Sequence, residues 1–200
     1  MGLFGWLRKA PGGGDGESVR AWREAWTKAV ANLDAAALAP LESALRETPP
    51  LADDLEIEDE MLDGFRQLLE LERELAASRL PVVETSHRVV GQDRCHFSAP
   101  VSMPDDPAQP TGRLLLTSSR AVFAGGARTP ALAWHATRDV IQTGRDLLLI
   151  FKNAQGNDGH RFRCNSFTEA LCSAAIARHL MMRSRQSAGP GRGERDGGRL

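Results

Sequence analysis

Four side chains able to ligate a metal or act as nucleophiles stand near one another late in this 200-residue chain: His160, Cys164, Cys172 and His179. Zinc takes Cys sulfur and His nitrogen in a tetrahedral set, and a spacing of four on a strand or seven on a helix would put each pair on one face. The H-x3-C-x7-C-x6-H spacing matches no zinc pattern, and cysteine is commonly buried for packing alone, so packing is the preferred reading and no metal or cofactor is expected. Cys95-His96 fails as a nucleophile and base, because neighbouring residues on a strand point to opposite faces. Asp53, Asp54, Glu56, Glu58, Asp59, Glu60 and Asp63 invite a calcium reading, but Gly64 is out of register with an EF-hand loop. Acids gathered at the positive end of a helix dipole explain them more simply, and they also offer a face on which the Arg-rich second half could dock. Gly12, Gly13, Gly14 and Gly16 follow no strand and precede no Lys-Ser or Lys-Thr, so they form no phosphate cradle. No Ser-His-Asp or paired-carboxylate pattern is present either, and no catalytic residue is expected.

Two groups suit binding instead. Arg161 and Arg163 share one face of a strand by the period of two, a candidate anion patch set against a plain solvated face with Phe162 turned inward. At the other end, Leu3, Phe4, Trp6 and Leu7 precede Arg8 and Lys9, the composition of a short interfacial anchor that would touch an anionic membrane weakly. The same segment could instead fold back into a groove of the helices or stay disordered. Trp6 stands where a myristoylation pattern needs Ser or Thr.

The elements that would position these groups divide the chain. Residues 1–16 read as a flexible N-terminal segment, since Pro11 and the glycines after it are costly to order. Residues 17–79 read as a helical region. Val19, Trp22, Trp26, Ala29, Val30, Leu33 and Ala37 form one apolar stripe, with Asp15 or Ser18 able to cap it. Pro40 breaks or restarts that helix; Leu38, Leu41 and Leu45 then give a short second one ending before Pro49-Pro50. Ile57, Met61, Phe65, Leu68 and Leu75, flanked by Leu62 and Leu69, predict a longer helix over 53–79. Trp22 and Trp26 are read as core anchors, not a ligand cage.

After Pro81 β-branched residues and turns take over, predicting strands over 86–95, 95–101, 112–117, 120–124, 131–141, 146–152 and 159–164. A longer hairpin loop is expected over 153–158. Ser166, with Glu169 completing a capping box, predicts a helix over 166–182. Residues 183–200, rich in Arg and Gly, read as a disordered tail.

Composition excludes further classes. At 42% apolar and 26% charged residues the chain can bury a core, and the longest clean apolar run, residues 147–151, is far too short to span a membrane. The net charge of −1 excludes a strongly basic nucleic-acid coat, so no nucleic-acid partner is expected. It hides an asymmetry of 7 basic and 15 acidic residues over 17–79 against 11 and 8 over 80–182. Three cysteines without C-x-x-C spacing suit reduced thiols, and with no secretory signal the expected location is cytoplasmic. Arg outnumbers Lys 22 to 3, a bias expected of a GC-rich bacterial genome.

Several strands followed by one amphipathic helix is the order of a pleckstrin-homology-like barrel. Gly112-Arg113-Leu114-Leu115-Leu116-Thr117-Ser118-Ser119-Arg120-Ala121-Val122-Phe123 resembles the G-x-L-x-L-T-x-x-R-x-x-F hairpin of GRAM and related bacterial PH-like domains. Trp134 to Ile141 resembles the strand leading to that family's next turn. The resemblance covers residues 84–182, and it implies an α+β protein: an N-terminal α-helical region followed by a PH-like β-barrel capped by the C-terminal helix. It also implies a non-catalytic binding or adaptor role, with an unidentified protein partner near the cytoplasmic membrane face, the inner face at which the anchor would act peripherally. The alternative is direct recognition of an anionic lipid headgroup by the barrel, and a metal protein or enzyme comes third. The lipid alternative is weakened because the expected first strand-to-strand loop holds only Arg94 beside Asp93.

Overall fold

The computed structural model describes residues 15–47, 55–125, 130–153 and 156–187. Helices α1 (Asp15–Ala31), α2 (Leu38–Arg46) and α3 (Glu56–Ala76) come first. Asp34 starts the link between α1 and α2 by accepting from the Ala36 N–H at 3.1 Å, and Pro40 sits in the first turn of α2, where a missing N–H costs nothing. Ser18 lies inside α1 instead of capping it. The two tryptophans lock the three helices together: Trp22 Nε1 donates to the Leu41 carbonyl and Trp26 Nε1 to the Met61 carbonyl, each at 2.9 Å. The stripe expected on α3 holds from Met61 onward, but Ile57 is 43% exposed and Glu58, at 2%, takes the inward place. Arg23 donates to that buried carboxylate at 2.6 Å, supplying the partner without which burial of its charge would be costly.

Seven antiparallel strands follow: β1 (Cys95–Ser102), β2 (Thr111–Thr117), β3 (Arg120–Ala124), β4 (Ala131–Ala133), β5 (Thr137–Thr143), β6 (Asp146–Asn153) and β7 (Gly156–Cys164), in the order β4-β3-β2-β1-β7-β6-β5. The sheet folds over where β1 and β7 touch at only Val101↔Cys164 and Ser102↔Arg163, and β4 and β5 stay as edges, so it is barrel-like without closing. Leu114, Leu116, Phe123, Trp134, Leu147, Leu149 and Phe162 fill the interior. The single strand expected over 131–141 is broken by a 3-10 turn at Trp134–Ala136. That turn sends the Trp134 indole inside to donate to the Thr117 carbonyl at 2.8 Å and lets the chain leave β3's partner strand for β6's. Pairing of β6 with β7 runs to Asn153↔Gly156, shortening the loop expected over 153–158.

No strand forms over 86–94, a second departure from expectation. A 3-10 turn at Arg88–Val90 and a left-handed Gly91 (φ 64°) bend the chain across the outer face of β1 to β3, where Val83, Val89 and Val90 pack on Leu115 and Val122. This strap is tied down by the Asp93 carboxylate, which accepts from Thr117 and Ser119, and by the Ser118 N–H, which donates to the Arg94 carbonyl at 3.0 Å. His96, buried, links the start of the strap to the β2–β3 turn through the Pro81 carbonyl (2.7 Å) and the Ser118 hydroxyl (2.9 Å).

The last helix, α4 (Phe167–Ser187), runs past the expected end at Met182 into what reads as tail. The expected capping box forms with one shift: the Ser166 hydroxyl accepts from the Glu169 N–H at 3.0 Å, while the Glu169 carboxylate reaches one residue further back, to the Asn165 N–H at 3.0 Å. Ala170, Ala174, Ala177, Leu180 and Met181 face the barrel, while Leu171 and Ala175 face the N-terminal helices. The expected units over 17–79 and 84–182 therefore share this helix. Glu60 joins them a second time, accepting from the Phe167 N–H at 2.6 Å and pairing with Arg145, whose guanidinium lies 5.2 Å from the Phe167 ring centre.

Gly64 marks the closest approach of α3 to α4, since a Cβ there would lie 3.1 Å from the Thr168 nitrogen and 3.2 Å from Leu171 Cδ1. Gly64→Ala should be close to neutral in urea denaturation, because a gain of about 1 kcal/mol in helix propensity offsets the tight contact. Gly64→Val should cost about 1–3 kcal/mol by forcing the helices apart. Equal stabilities for the two variants would show that the helices are not in contact here.

Candidate functional site

Among the described residues, a cleft of about 560 Å³ is lined by Met103, Asp105, Asp106, Pro110, Phe123, Pro130, Gly159, His160 and Arg161. The β1–β2 connection over 103–110, the approach to β4 and the first half of β7 supply its walls. Under Phe123, one of the lining residues, two glycines let β2 and β3 approach closely. A Cβ on Gly112 would lie 2.5 Å from the Ala124 carbonyl oxygen, and one on Gly125 would lie 2.7 Å from the Thr111 carbonyl oxygen, so β2 and β3 meet here with no side chain between them. The Phe123 ring edge covers both glycines, 2.9 and 2.8 Å from those Cβ positions, which is why the hairpin needs Gly at its start and Phe at its end. An aromatic row extends inward, with ring centres 6.0 Å apart for Phe123 and Phe162, 6.4 Å for Phe162 and His160, and 6.0 Å for His160 and Phe151.

The rim is polar and its charges are unequal. Arg161 pairs with Asp105 across the cleft and lies 3.6 Å from Asp146. Arg163 makes a two-pronged bond to Asp146 at 2.8 and 3.0 Å, and that carboxylate holds the guanidinium further above its ordinary pKa. The strand thus brings the two candidate arginines to one face, as the period of two requires, and places a carboxylate on each. Asp106 accepts from the Ala108 N–H at 2.9 Å and has no cationic partner among the described residues. Two carboxylates and one guanidinium line the cleft, leaving it acidic among those residues.

The first strand-to-strand loop is therefore the one over 103–110, carrying Asp105 and Asp106 and no Lys or Arg, whereas Asp93 and Arg94 belong to the strap. Composition held a signal for it: two adjacent acids inside a Pro-rich loop beside the glycine that opens the hairpin. His160 is placed by aromatic neighbours. Cys164 is buried and its thiol is pushed up to about 12, chiefly by desolvation; Cys172 rises to about 11 for the same reason. His179 is lowered, by burial first and by Arg183 next. Thiols so raised are poor nucleophiles at neutral pH. Among the described residues no three His, Cys, Asp or Glu side chains form a metal-binding group, so the structure does not bring His160, Cys164, Cys172 and His179 together. Leu3, Phe4, Trp6, Leu7, Arg8 and Lys9 lie outside the described residues, and no described helix is long and apolar enough to cross a membrane.

No protein-family model and no curated protein matches the chain. Among solved structures it is similar to the C-terminal domain of an unknown protein from Leishmania infantum, with 13% identity over 46% of this chain and 89% of that one and a TM-score of 0.38. It is similar to the hSac2 domain from human phosphoinositide phosphatase Sac2, with 11% identity over 66% and 94% and a TM-score of 0.35. The p115-RhoGEF DH/PH domains match at 12% identity over 71% of this chain and 46% of that one, with a TM-score of 0.38, so this chain spans less than half of that structure. Likenesses at this level say nothing of a ligand. The PH-like description rests on the strand order and the capping helix.

Phe123→Ala should cost about 3–5 kcal/mol, the usual loss for a buried Phe. Gly112→Ala should cost several kcal/mol as well, because the added carbon meets backbone that cannot rotate away. Thermal or urea unfolding checks both, and a loss under about 1 kcal/mol for either would show that this end of the hairpin is not packed as described.

Proposed function

We propose that the protein is a non-catalytic binding adaptor of GRAM-like type, acting near the cytoplasmic membrane face and holding an apolar, cation-bearing segment of a protein partner in the cleft beside Phe123 and His160. The observation that carries this reading is the cleft's make-up: apolar Met103, Pro110, Phe123 and Pro130 under a rim with an excess of carboxylate. Apolar walls with a few placed polar groups are the usual form of a recognition site, and an acidic rim favours a Lys or Arg side chain over a phosphate. The hairpin from Gly112 to Phe123 supports the GRAM-like assignment. Headgroup binding at Arg161 and Arg163 is the weaker reading, because both guanidiniums already donate to Asp105 and Asp146 and an incoming phosphate would have to displace those carboxylates. Weak membrane contact by Leu3, Phe4, Trp6, Leu7, Arg8 and Lys9 belongs to the same proposal.

Amide spectra of the full chain, titrated separately with a Leu- and Arg-containing peptide and with inositol trisphosphate, test the choice. The peptide should shift Met103, Asp106 and His160, and Asp106→Lys should weaken it about tenfold or more, in keeping with the cost of a like charge at an interface. Trisphosphate shifting the same amides more tightly, with the effect lost in Arg161→Ala, would establish the headgroup reading instead.

A further inference from the structure

A second surface lies along β5 and the C-terminal turns of α4, apart from the cleft. Register separates the two: Val140 on β5 pairs with Leu149 on β6, which pairs with His160 on β7 at the cleft wall. Arg178, Met182 and Arg185 follow one another at spacings of four and three, so they form one stripe of α4 beside the β5 edge. Arg178 donates to the Val140 carbonyl at 3.2 Å, and Arg185 donates to the carbonyls of Thr137 and Arg138 at 3.2 and 2.7 Å. Met182 between them is 53% exposed, an apolar side chain in the middle of a cationic stripe. Arg183, also exposed, follows directly.

These arginines keep their charge unpaired, as Arg120 does on the Val89 carbonyl and Arg113 on the Ser98 hydroxyl. Arg23, Arg66, Arg79, Arg145, Arg161 and Arg163 all pair with carboxylates, whereas Arg178, Arg183 and Arg185 have no carboxylate partner among the described residues. A main-chain carbonyl fixes a guanidinium without cancelling its charge. Two acids lie nearby, the exposed Asp139, which accepts from the Val140 N–H at 2.8 Å, and Glu72 on α3, which bears on His179, and the three guanidiniums outnumber them. The sequence continues the trend, with Arg192, Arg195 and Arg199 against Glu194 and Asp196 over 188–200.

We infer that this stripe, together with Arg183 about 100° round the helix from Met182, is a docking surface for an anionic lipid membrane, with Met182 entering the interface, Arg178 and Arg185 at the headgroups on one flank of it and Arg183 on the other. Charge complementarity names the surface, and the exposed thioether favours a bilayer over an acidic polymer, which offers nothing to an apolar side chain. The inference goes beyond the cleft and does not depend on it.

Cations near a helix C-terminus also suit the helix dipole, so the test must separate binding from folding. Flotation of the full chain with vesicles of equal parts phosphatidylcholine and phosphatidylglycerol, and with phosphatidylcholine alone, measures the binding. Arg183→Glu and Met182→Asp change exposed side chains and should leave the melting temperature unchanged. Binding to the mixed vesicles should exceed binding to neutral ones and fall as salt rises. At about fivefold per cationic side chain near such a surface, the charge reversal Arg183→Glu should weaken binding about twentyfold. Met182→Asp should weaken it too, and Met182→Trp should strengthen it. The inference fails if the full chain does not bind mixed vesicles, if it binds but Arg183→Glu and Met182→Asp bind as tightly, or if deleting residues 2–9 alone abolishes binding. It also fails if Arg183→Glu loses binding to polyglutamate or RNA while vesicle binding persists.

Discussion

Burial of α4 on two sides is the constraint that the other elements obey. Against the barrel it presents Ala170, Ala174, Ala177, Leu180 and Met181; against α1 to α3 it presents Leu171 and Ala175. Small side chains on a helix held between two layers let both layers approach, and Gly64 makes the same concession from α3. The first N–H groups of any helix lack intrahelical partners, and here one is satisfied locally by Ser166 while the Phe167 N–H is satisfied by Glu60 from the helical region. The N-terminus of α4 is thus completed only when the two halves of the chain are together. Arg145 holds Glu60 in place from the barrel side, so the latch joins β5–β6, α3 and α4 at one point.

A sheet covered on one face normally alternates apolar and polar residues, yet Leu114, Leu115 and Leu116 are all fully buried. The strap resolves this, because Leu115 and Val122 point outward into a small cluster with Val83, Val89 and Val90. Its polar groups are chosen to match. Asp93 meets the hydroxyls of Thr117 and Ser119, and Arg120 reaches the Val89 carbonyl at 3.3 Å, so the β2–β3 turn is fixed by the segment that covers it. Ser118 and Ser119 therefore serve as anchors for the strap as well as turn residues.

The α+β order, the hairpin and the capping box were legible because each follows from short-range chemistry: a period, a turn, a cap. The errors arose where a long-range partner decided the outcome. Ile57 fits the stripe of α3 by spacing, but Arg23, distant in sequence, makes Glu58 the residue that goes inside. Val89 and Val90 have strand propensity, but the outer face of the sheet uses them for packing across strands instead of pairing along one. The face of α4 toward the N-terminal helices was half visible, since Ala170, Leu171, Ala174, Ala175, Ala177, Leu180 and Met181 leave no wide polar side, the pattern of a helix enclosed by two layers. At the candidate site, Arg161 and Arg163 were correctly placed on one face by the period of two, while the carboxylates opposite them were invisible because Asp105 and Asp146 are brought there by the sheet. The close approach of β2 and β3 beneath Phe123 needed Gly112 and Gly125 to be recognised as facing each other, and that is a matter of register.

The distribution of arginine partners explains how a chain of nearly zero net charge can present surfaces of opposite character. An exposed ion pair stabilises a fold by only about 0–1 kcal/mol, so the pairs on β7 are worth little as staples. Their larger effect is on the field: Arg161 and Arg163 beside Asp105 and Asp146 cancel at short range and leave Asp106 to set the sign of the cleft. Arg178 and Arg185 do the opposite. By bonding to main-chain carbonyls of β5 they occupy acceptors on an edge strand that would otherwise be open to pairing, and they do so without losing charge. One interaction thus covers part of the edge and leaves the guanidinium charge in place. What each surface can recognise is decided by what each guanidinium is bonded to, carboxylate or carbonyl, more than by how many arginines the sequence contains.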